Sequence, residues 1–172
     1  MRVIKRSGIF ETVSFDKVLR RIKKLCDEGN LSVDPAIVSQ KVCSCIYDKV
    51  KTSELDTEAA KVCTNMVIDN KEYGELASRI IISNHHKNTS PSFSETMCTL
   101  YYNKDINGKD SPLVSEEFWN IVSSNKEKLN SVINYDKDYL FDYFGFKTLE
   151  KSYLMKVNNK VIERPQHMIM RI

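Results

Sequence analysis

Lys5, Arg6 and Lys17 are the side chains on which a chemistry can be built. Lys5 and Arg6 close a short stretch that alternates like a β-strand, and Lys17 falls in the first turn of a helix that follows. Three cations converging from a hairpin and a helix start could hold a polyanion. Ammonium and guanidinium groups make charge-assisted hydrogen bonds to phosphate, and an arginine can bind it as a fork. A helix opening at Phe15 adds backbone N–H groups and the positive end of its dipole. Neither G-x-x-x-x-G-K-[ST] nor G-x-G-x-x-G is present, so the usual phosphate loops are excluded. Surface lysines and arginines are common, and spacing alone does not separate this cluster from a solvated face.

Glu11 and Asp56 are of the right type to read a sugar hydroxyl or an exocyclic amine, since a carboxylate accepts from either. The plainer roles are an exposed strand residue for Glu11 and a helix cap for Asp56. His85-His86 invites a metal reading, but neighbours on a helix point about 100° apart and cannot easily share one ion. No metal site is expected, and no nucleophile–base pairing of the Ser-His-Asp or Cys-His kind can be argued. Glu116-Glu117 stand at a helix start, where the dipole accounts for them. The aromatic block from Tyr135 to Tyr153 has Asp136, Asp138 and Asp142 interleaved, so it reads as core rather than as a base-stacking surface.

The 172-residue chain has room for one domain, or for a small domain and part of another. Five Gly and four Pro argue against disorder. Net charge is only +3, yet residues 1–24 hold eight basic and two acidic side chains. For Arg20, Arg21, Lys23 and Lys24 the expected role is a solvated helix face. The rest of the chain is not basic enough to extend a nucleic-acid groove. Five cysteines without C-x-x-C spacing argue against a zinc ribbon and a disulfide framework. Cys26, Cys45 and Cys63 sit at apolar helical positions and are expected to be buried and reduced, which fits a cytoplasmic protein. No apolar run exceeds three residues, so no membrane span is expected.

The elements that must position these residues follow from local signals. Residues 2–13 read as a hairpin turning at Ser7-Gly8. Ser14 is a plausible N-cap for a helix from Phe15 to about Asp27, stopped by Gly29-Asn30. Asp34-Pro35 opens a second helix as N-cap and N1. Ser53-Glu54-Leu55-Asp56 matches a capping box for a third. A fourth follows Asn70-Lys71, and Thr89-Ser90-Pro91-Ser92 punctuates the chain after it. Beyond lie helices at 93–103, 115–123 and 125–133, then a hairpin turning at Asn158-Asn159. A last helix opens near Pro165, and its apolar Met168, Ile169, Met170 and Ile172 suggest an incomplete domain.

Longer stretches carry a resemblance. Val3-Ile4-Lys5-Arg6, Phe15-Asp16-Lys17, Glu54-Leu55-Asp56-Thr57, Tyr143-Phe144-Gly145-Phe146-Lys147-Thr148-Leu149-Glu150 and Glu163-Arg164-Pro165-Gln166-His167-Met168 resemble eukaryotic and viral class I ribonucleotide reductase large subunits. The resemblance implies a mainly α fold. Residues 1–90 would form an ATP-cone, a four-helix bundle capped by a small β-sheet. Residues 91–172 would form the helical N-terminal segment of the catalytic domain, with the α/β barrel itself absent from this chain.

The same resemblance implies an allosteric overall-activity site for ATP or dATP, with magnesium as an optional companion. Its residues would be Lys5, Arg6, Glu11, Ser14, Phe15, Asp16, Lys17, Thr52, Asp56 and Lys87. Lys5, Arg6, Lys17 and Lys87 would meet phosphates, Asp56 the sugar, and Glu11 with residues 14–17 the base. The family's catalytic cysteines match none of the five here, so the isolated chain is expected to carry no catalytic residue. The family's partners are a small subunit and further large subunits, and its work is deoxyribonucleotide synthesis from ribonucleoside diphosphates. Ser7 stands where the family commonly has an acidic residue, and Cys43, Cys45 and the 62–72 stretch depart from its pattern on the helical surface that the resemblance implies is used for assembly. Two other readings remain: a stand-alone nucleotide-binding or interaction protein from a split gene, and a nucleotide-sensing repressor. The second is disfavoured because no zinc ribbon precedes the cone.

Overall fold

The computed structural model describes residues 2–172. They form two compact units, one running to Asn84 and including Phe141–Phe146, the other comprising His85–Leu140 and Lys147–Ile172.

The first unit begins with β1 (Arg2–Ile4) and β2 (Phe10–Thr12), antiparallel, with Val3 opposite Glu11. The turn between them closes through the Gly8 N–H on the Lys5 carbonyl (2.9 Å) and the Lys5 N–H on that of Ile9 (2.9 Å). Gly8 stands at φ +81°, a conformation that a side chain would strain. A third strand, β3 (Val50–Lys51), pairs in parallel with β1 and puts β1 at the centre of the sheet. Nothing local announces so short a strand. It is held by the Lys49 N–H on the Arg2 carbonyl (2.7 Å) and the Arg2 N–H on Asp48 (2.8 Å). Val3, Ile46 and Val50 pack beneath the sheet with Val13, Cys43 and Leu55.

Four helices carry the sheet: α1 (Phe15–Gly29), α2 (Pro35–Ser44), α3 (Thr52–Asn65) and α4 (Glu72–Asn88). α1 buries Ile22, Leu25 and Cys26 and ends on Asn30 in the left-handed region (φ 51°), as Gly29-Asn30 led one to expect. Asp34 caps α2 through the Ala36 N–H at 2.8 Å. α3 starts earlier than the expected box. Thr52 is already helical, and Glu54 reaches back to the Lys51 N–H at 3.3 Å. Asp56 therefore does not cap; its side chain faces inward. Cys45 is a second correction: it follows the last turn of α2 and is exposed, whereas Cys26 and Cys63 are buried. Burial raises the Cys26 thiol to about 11 and the Cys63 thiol to about 12, so neither is a ready nucleophile.

The second unit holds α5 (Phe93–Tyr101), α6 (Glu116–Ser124), α7 (Lys126–Ser131), a 3-10 turn (Tyr135–Leu140) and α9 (Pro165–Arg171). α8 (Tyr143–Ser152) runs through the break between the units, as α4 does. Phe93, Met97, Leu100 and Val122 form the second unit's apolar centre, with Phe118, Trp119 and Leu129 against them. The expected hairpin is present as β4 (Lys156–Val157) and β5 (Lys160–Val161), with Asn158 and Asn159 both at positive φ, as a tight two-residue turn requires. The aromatic block is only partly core: Phe146 is fully buried, while Phe144 and Tyr153 are more than half exposed.

Candidate functional site

Lys5, Glu11 and Lys17 meet at one point. Lys5 leaves β1 into the turn, Glu11 is the middle residue of β2, and Lys17 lies in the first turn of α1. The two ammonium groups contact opposite oxygens of the Glu11 carboxylate. Both lysine side chains are about half exposed, at 47% and 57%. Exposed pairs of this kind contribute little individually. The cluster is thus two half-exposed ammonium groups held together by a carboxylate, an arrangement a phosphate can take over by replacing one anion with another.

A second, more enclosed cluster begins at the next residue. Arg6 contacts Oδ2 of Asp56 at 3.3 Å and donates to the Asn84 side-chain oxygen. Arg21 contacts Oδ1 of the same carboxylate at 3.5 Å and donates to the Ser83 hydroxyl at 2.9 Å. Asn84 in turn donates to the Ser53 carbonyl at 3.1 Å. The Asp56 side chain is only 12% exposed. A carboxylate so far out of water needs cations and hydrogen bonds around it.

Arg21 is where the sequence reading fails. Its spacing puts it with Arg20, Lys23 and Lys24 on a solvated face; those three are exposed, and Arg21 turns inward. A signal existed. Asp56 shares the buried side of α3 with Ala59, Ala60 and Cys63, and an acid on an apolar stripe calls for a cation from a facing helix.

The other expected site residues are placed more simply. Ser14 precedes α1 in extended conformation without a side-chain cap, and its carbonyl accepts from the Lys17 N–H at 3.2 Å. Phe15 and Asp16, both exposed, open the helix. Thr52 is one helical turn before Asp56 on α3. Lys87 lies in the last turn of α4, within the second unit. The structure therefore gathers Lys5, Glu11 and Lys17, and separately Arg6 and Asp56. Ser14, Phe15, Asp16 and Thr52 adjoin these groups along their own elements.

The three histidines, all in the second unit, each have their own partner. The His85 ring meets the Glu163 carbonyl at 2.8 Å, and the His86 ring meets Asp138 at 2.7 Å. His167 accepts from the Arg164 N–H at Nδ1 (3.3 Å), so its Nε2 carries the hydrogen towards the Tyr135 hydroxyl at 2.7 Å. That hydroxyl donates to the Pro91 carbonyl. Burial and the nearby Arg164 push the His167 ring down to about 4. Burial also lowers His85. Among the described residues, no three His, Cys, Asp or Glu side chains are grouped as a metal would need, and no helix is long and apolar enough to cross a membrane.

Comparison with known proteins agrees with this architecture. Residues 1–88 match the ATP cone domain, and residues 139–172 match the ribonucleotide reductase all-alpha domain. Over the whole chain the sequence is 51% identical to the ribonucleoside-diphosphate reductase large subunit of Monkeypox virus, 48% to that of Arabidopsis thaliana and 49% to that of Danio rerio. The chain spans 23%, 21% and 22% of those proteins. A helical bundle capped by a three-stranded sheet, followed by further helices with no closed barrel among the described residues, is consistent with these similarities. The chain belongs to the ATP-cone family, with the all-alpha region of ribonucleotide reductase large subunits following the cone.

Proposed function

We propose that the first unit is an allosteric site for an adenine nucleoside triphosphate, ATP or dATP, and that it regulates a ribonucleotide reductase large subunit. The observation that carries this reading is the convergence of Lys5 and Lys17 on Glu11, one residue from the Arg6–Asp56 pair. Phosphates would replace the Glu11 carboxylate between the two ammonium groups. Arg6 would turn from Asp56 towards the same phosphates, and the first turn of α1 would add its N–H groups. Asp56 would then face a ribose hydroxyl. Glu11, once released, is an acceptor for the exocyclic amine of adenine, with Ser14, Phe15 and Asp16 beside it. Thr52 on α3 and Lys87 on α4 complete the set that the family resemblance suggests.

The proposed parent activity is supported by the relatives, which are reductase large subunits. In that setting the chain would govern deoxyribonucleotide synthesis from ribonucleoside diphosphates in the cytoplasm, alongside a small subunit and further copies of the large one. On this reading residues 1–90 would be the regulatory region and residues 91–172 the entry to the catalytic domain.

Calorimetric titration of the chain with dATP and then ATP tests the reading, beside a Lys5→Ala/Arg6→Ala variant. Binding near micromolar, about −8 kcal/mol, that is lost in the variant supports it. A folded chain that binds neither nucleotide overturns it.

A further inference from the structure

We propose that Arg21 is the positioning residue for Asp56, the side chain that keeps this carboxylate in place to meet a ribose hydroxyl while Arg6 moves to the phosphates. The inference rests on the nucleotide-site reading above. It begins from an asymmetry between the two arginines that share Asp56. Arg6 comes from the hairpin turn, next to Lys5, and its side chain is 30% exposed. Arg21 comes from the middle of α1, flanked by the buried Ile22, and is tied at its far end to Ser83 on α4 at 2.9 Å. Both guanidinium groups reach α4, Arg6 through Asn84 and Arg21 through Ser83, and their exposures are close, at 30% and 23%. The difference is that Arg6 is carried by a turn beside Lys5 and Arg21 by the middle of a helix.

The two arginines also use different oxygens of Asp56, Arg6 on Oδ2 and Arg21 on Oδ1. Withdrawal of Arg6 frees Oδ2 for another donor and leaves the Arg21 contact intact. A ribose hydroxyl is a donor of the right kind. Without Arg21 the same movement strips Asp56 of both guanidinium groups in a site where its side chain is 12% exposed. Asp56 would then either retain Arg6, weakening phosphate binding, or turn towards water, losing the sugar contact. Arg21 therefore separates the two tasks. It lets one arginine serve phosphate while the carboxylate remains a sugar reader.

The test is the ratio of ATP to dATP affinity, measured by calorimetry on the 172-residue chain. Arg21→Gln is expected to move the ratio about tenfold towards unity, the size of one hydrogen bond to a charged group. Arg21→Lys, which retains the charge, restores at least part of it. Lys23→Ala, on the exposed side of α1, leaves the ratio unchanged. If Arg21→Gln does not fold, Ser83→Ala loosens only the far anchor and is expected to shift the ratio in the same direction by a smaller amount. A wild-type ratio retained in whichever of these variants folds overturns the role of Arg21. A wild-type chain that binds neither nucleotide, or does not distinguish them, instead overturns the reading on which the inference rests.

Discussion

Lys17 on α1 donates to the carboxylate of Glu11 on β2, and Lys5 occupies that carboxylate's other oxygen. Both lysines are therefore already paired with an internal anion. On the proposed reading a polyphosphate would have to displace Glu11 before it gained both lysines.

Neutralising Glu11 should favour a ligand that has phosphates and nothing else. Glu11→Gln is expected to tighten inorganic tripolyphosphate about three- to tenfold, because exposed ion pairs of this kind are worth a fraction of a kcal/mol to about 1 kcal/mol each. The gain should shrink in high salt, which screens exposed charges. If Glu11 also reads adenine, the same variant loses preference for ATP over GTP. Titrations of both proteins with tripolyphosphate, ATP and GTP at two salt concentrations decide both points. Unchanged tripolyphosphate affinity would mean that Glu11 does not compete.

Asp56 should matter to the fold as well as to the site. Asp56→Ala leaves Arg6 and Arg21 facing each other without their shared carboxylate, and it breaks a tie between α1, α3 and the hairpin. The expected loss is about 2 kcal/mol, the usual range for a part-buried group hydrogen-bonded to charges. Urea unfolding followed by circular dichroism reads it directly. A loss indistinguishable from that of Lys61→Ala, at an exposed pair on the same helix, would show that the cluster contributes nothing to stability.

His167 predicts how stability responds to acid. Burial above all holds its ring neutral, and its native value of about 4 lies well below the ordinary 6.5. Arg164, His85 and His86 oppose its protonation, and Asp138 favours it. The unfolded chain therefore takes up the proton first as pH falls. Stability attributable to this group is complete above about pH 6.5 and is lost progressively down to about pH 4, by up to about 3 kcal/mol. Unfolding free energies at several pH values should show this slope, and His167→Gln should flatten it. An identical slope in the variant would assign the effect to other groups.

How much of this was legible in the sequence depended on range. The Ser7-Gly8 turn, the Gly29-Asn30 stop, the Asp34-Pro35 start and the Asn158-Asn159 hairpin were all readable, because each is fixed by the conformational preference of one or two residues. β3 was not, since two residues carry no periodicity and the pairing with β1 joins positions 47 apart. The same limit hid the more enclosed of the two clusters. Lys5, Lys17 and Glu11 lie within thirteen residues of sequence, so the two cations can be read together from the hairpin and the helix start, with Glu11 as a separate candidate reader. Arg21 and Asp56 meet only after α1 and α3 pack, and on the helix surface alone Arg21 is one basic residue among several. Cys45 shows the converse error: its spacing suggests burial, but α2 ends one residue earlier.

Gly8 joins backbone conformation to binding in a way that has a matched control. It stands at φ +81° with nothing within 4 Å of an added Cβ, so Gly8→Ala introduces backbone strain and no clash. Gly108 stands at φ +78° in a loop of the second unit, also with open space around it. Both substitutions should lower stability by about 1 kcal/mol, the cost of a left-handed residue with a side chain. Only Gly8 lies in the turn that sets Lys5 and Arg6 against Glu11 and Asp56. Gly8→Ala should therefore weaken ATP binding several-fold, and Gly108→Ala should leave it unchanged. Equal nucleotide affinities in the two variants, at equal loss of stability, would mean that the hairpin turn does not set the geometry of the site.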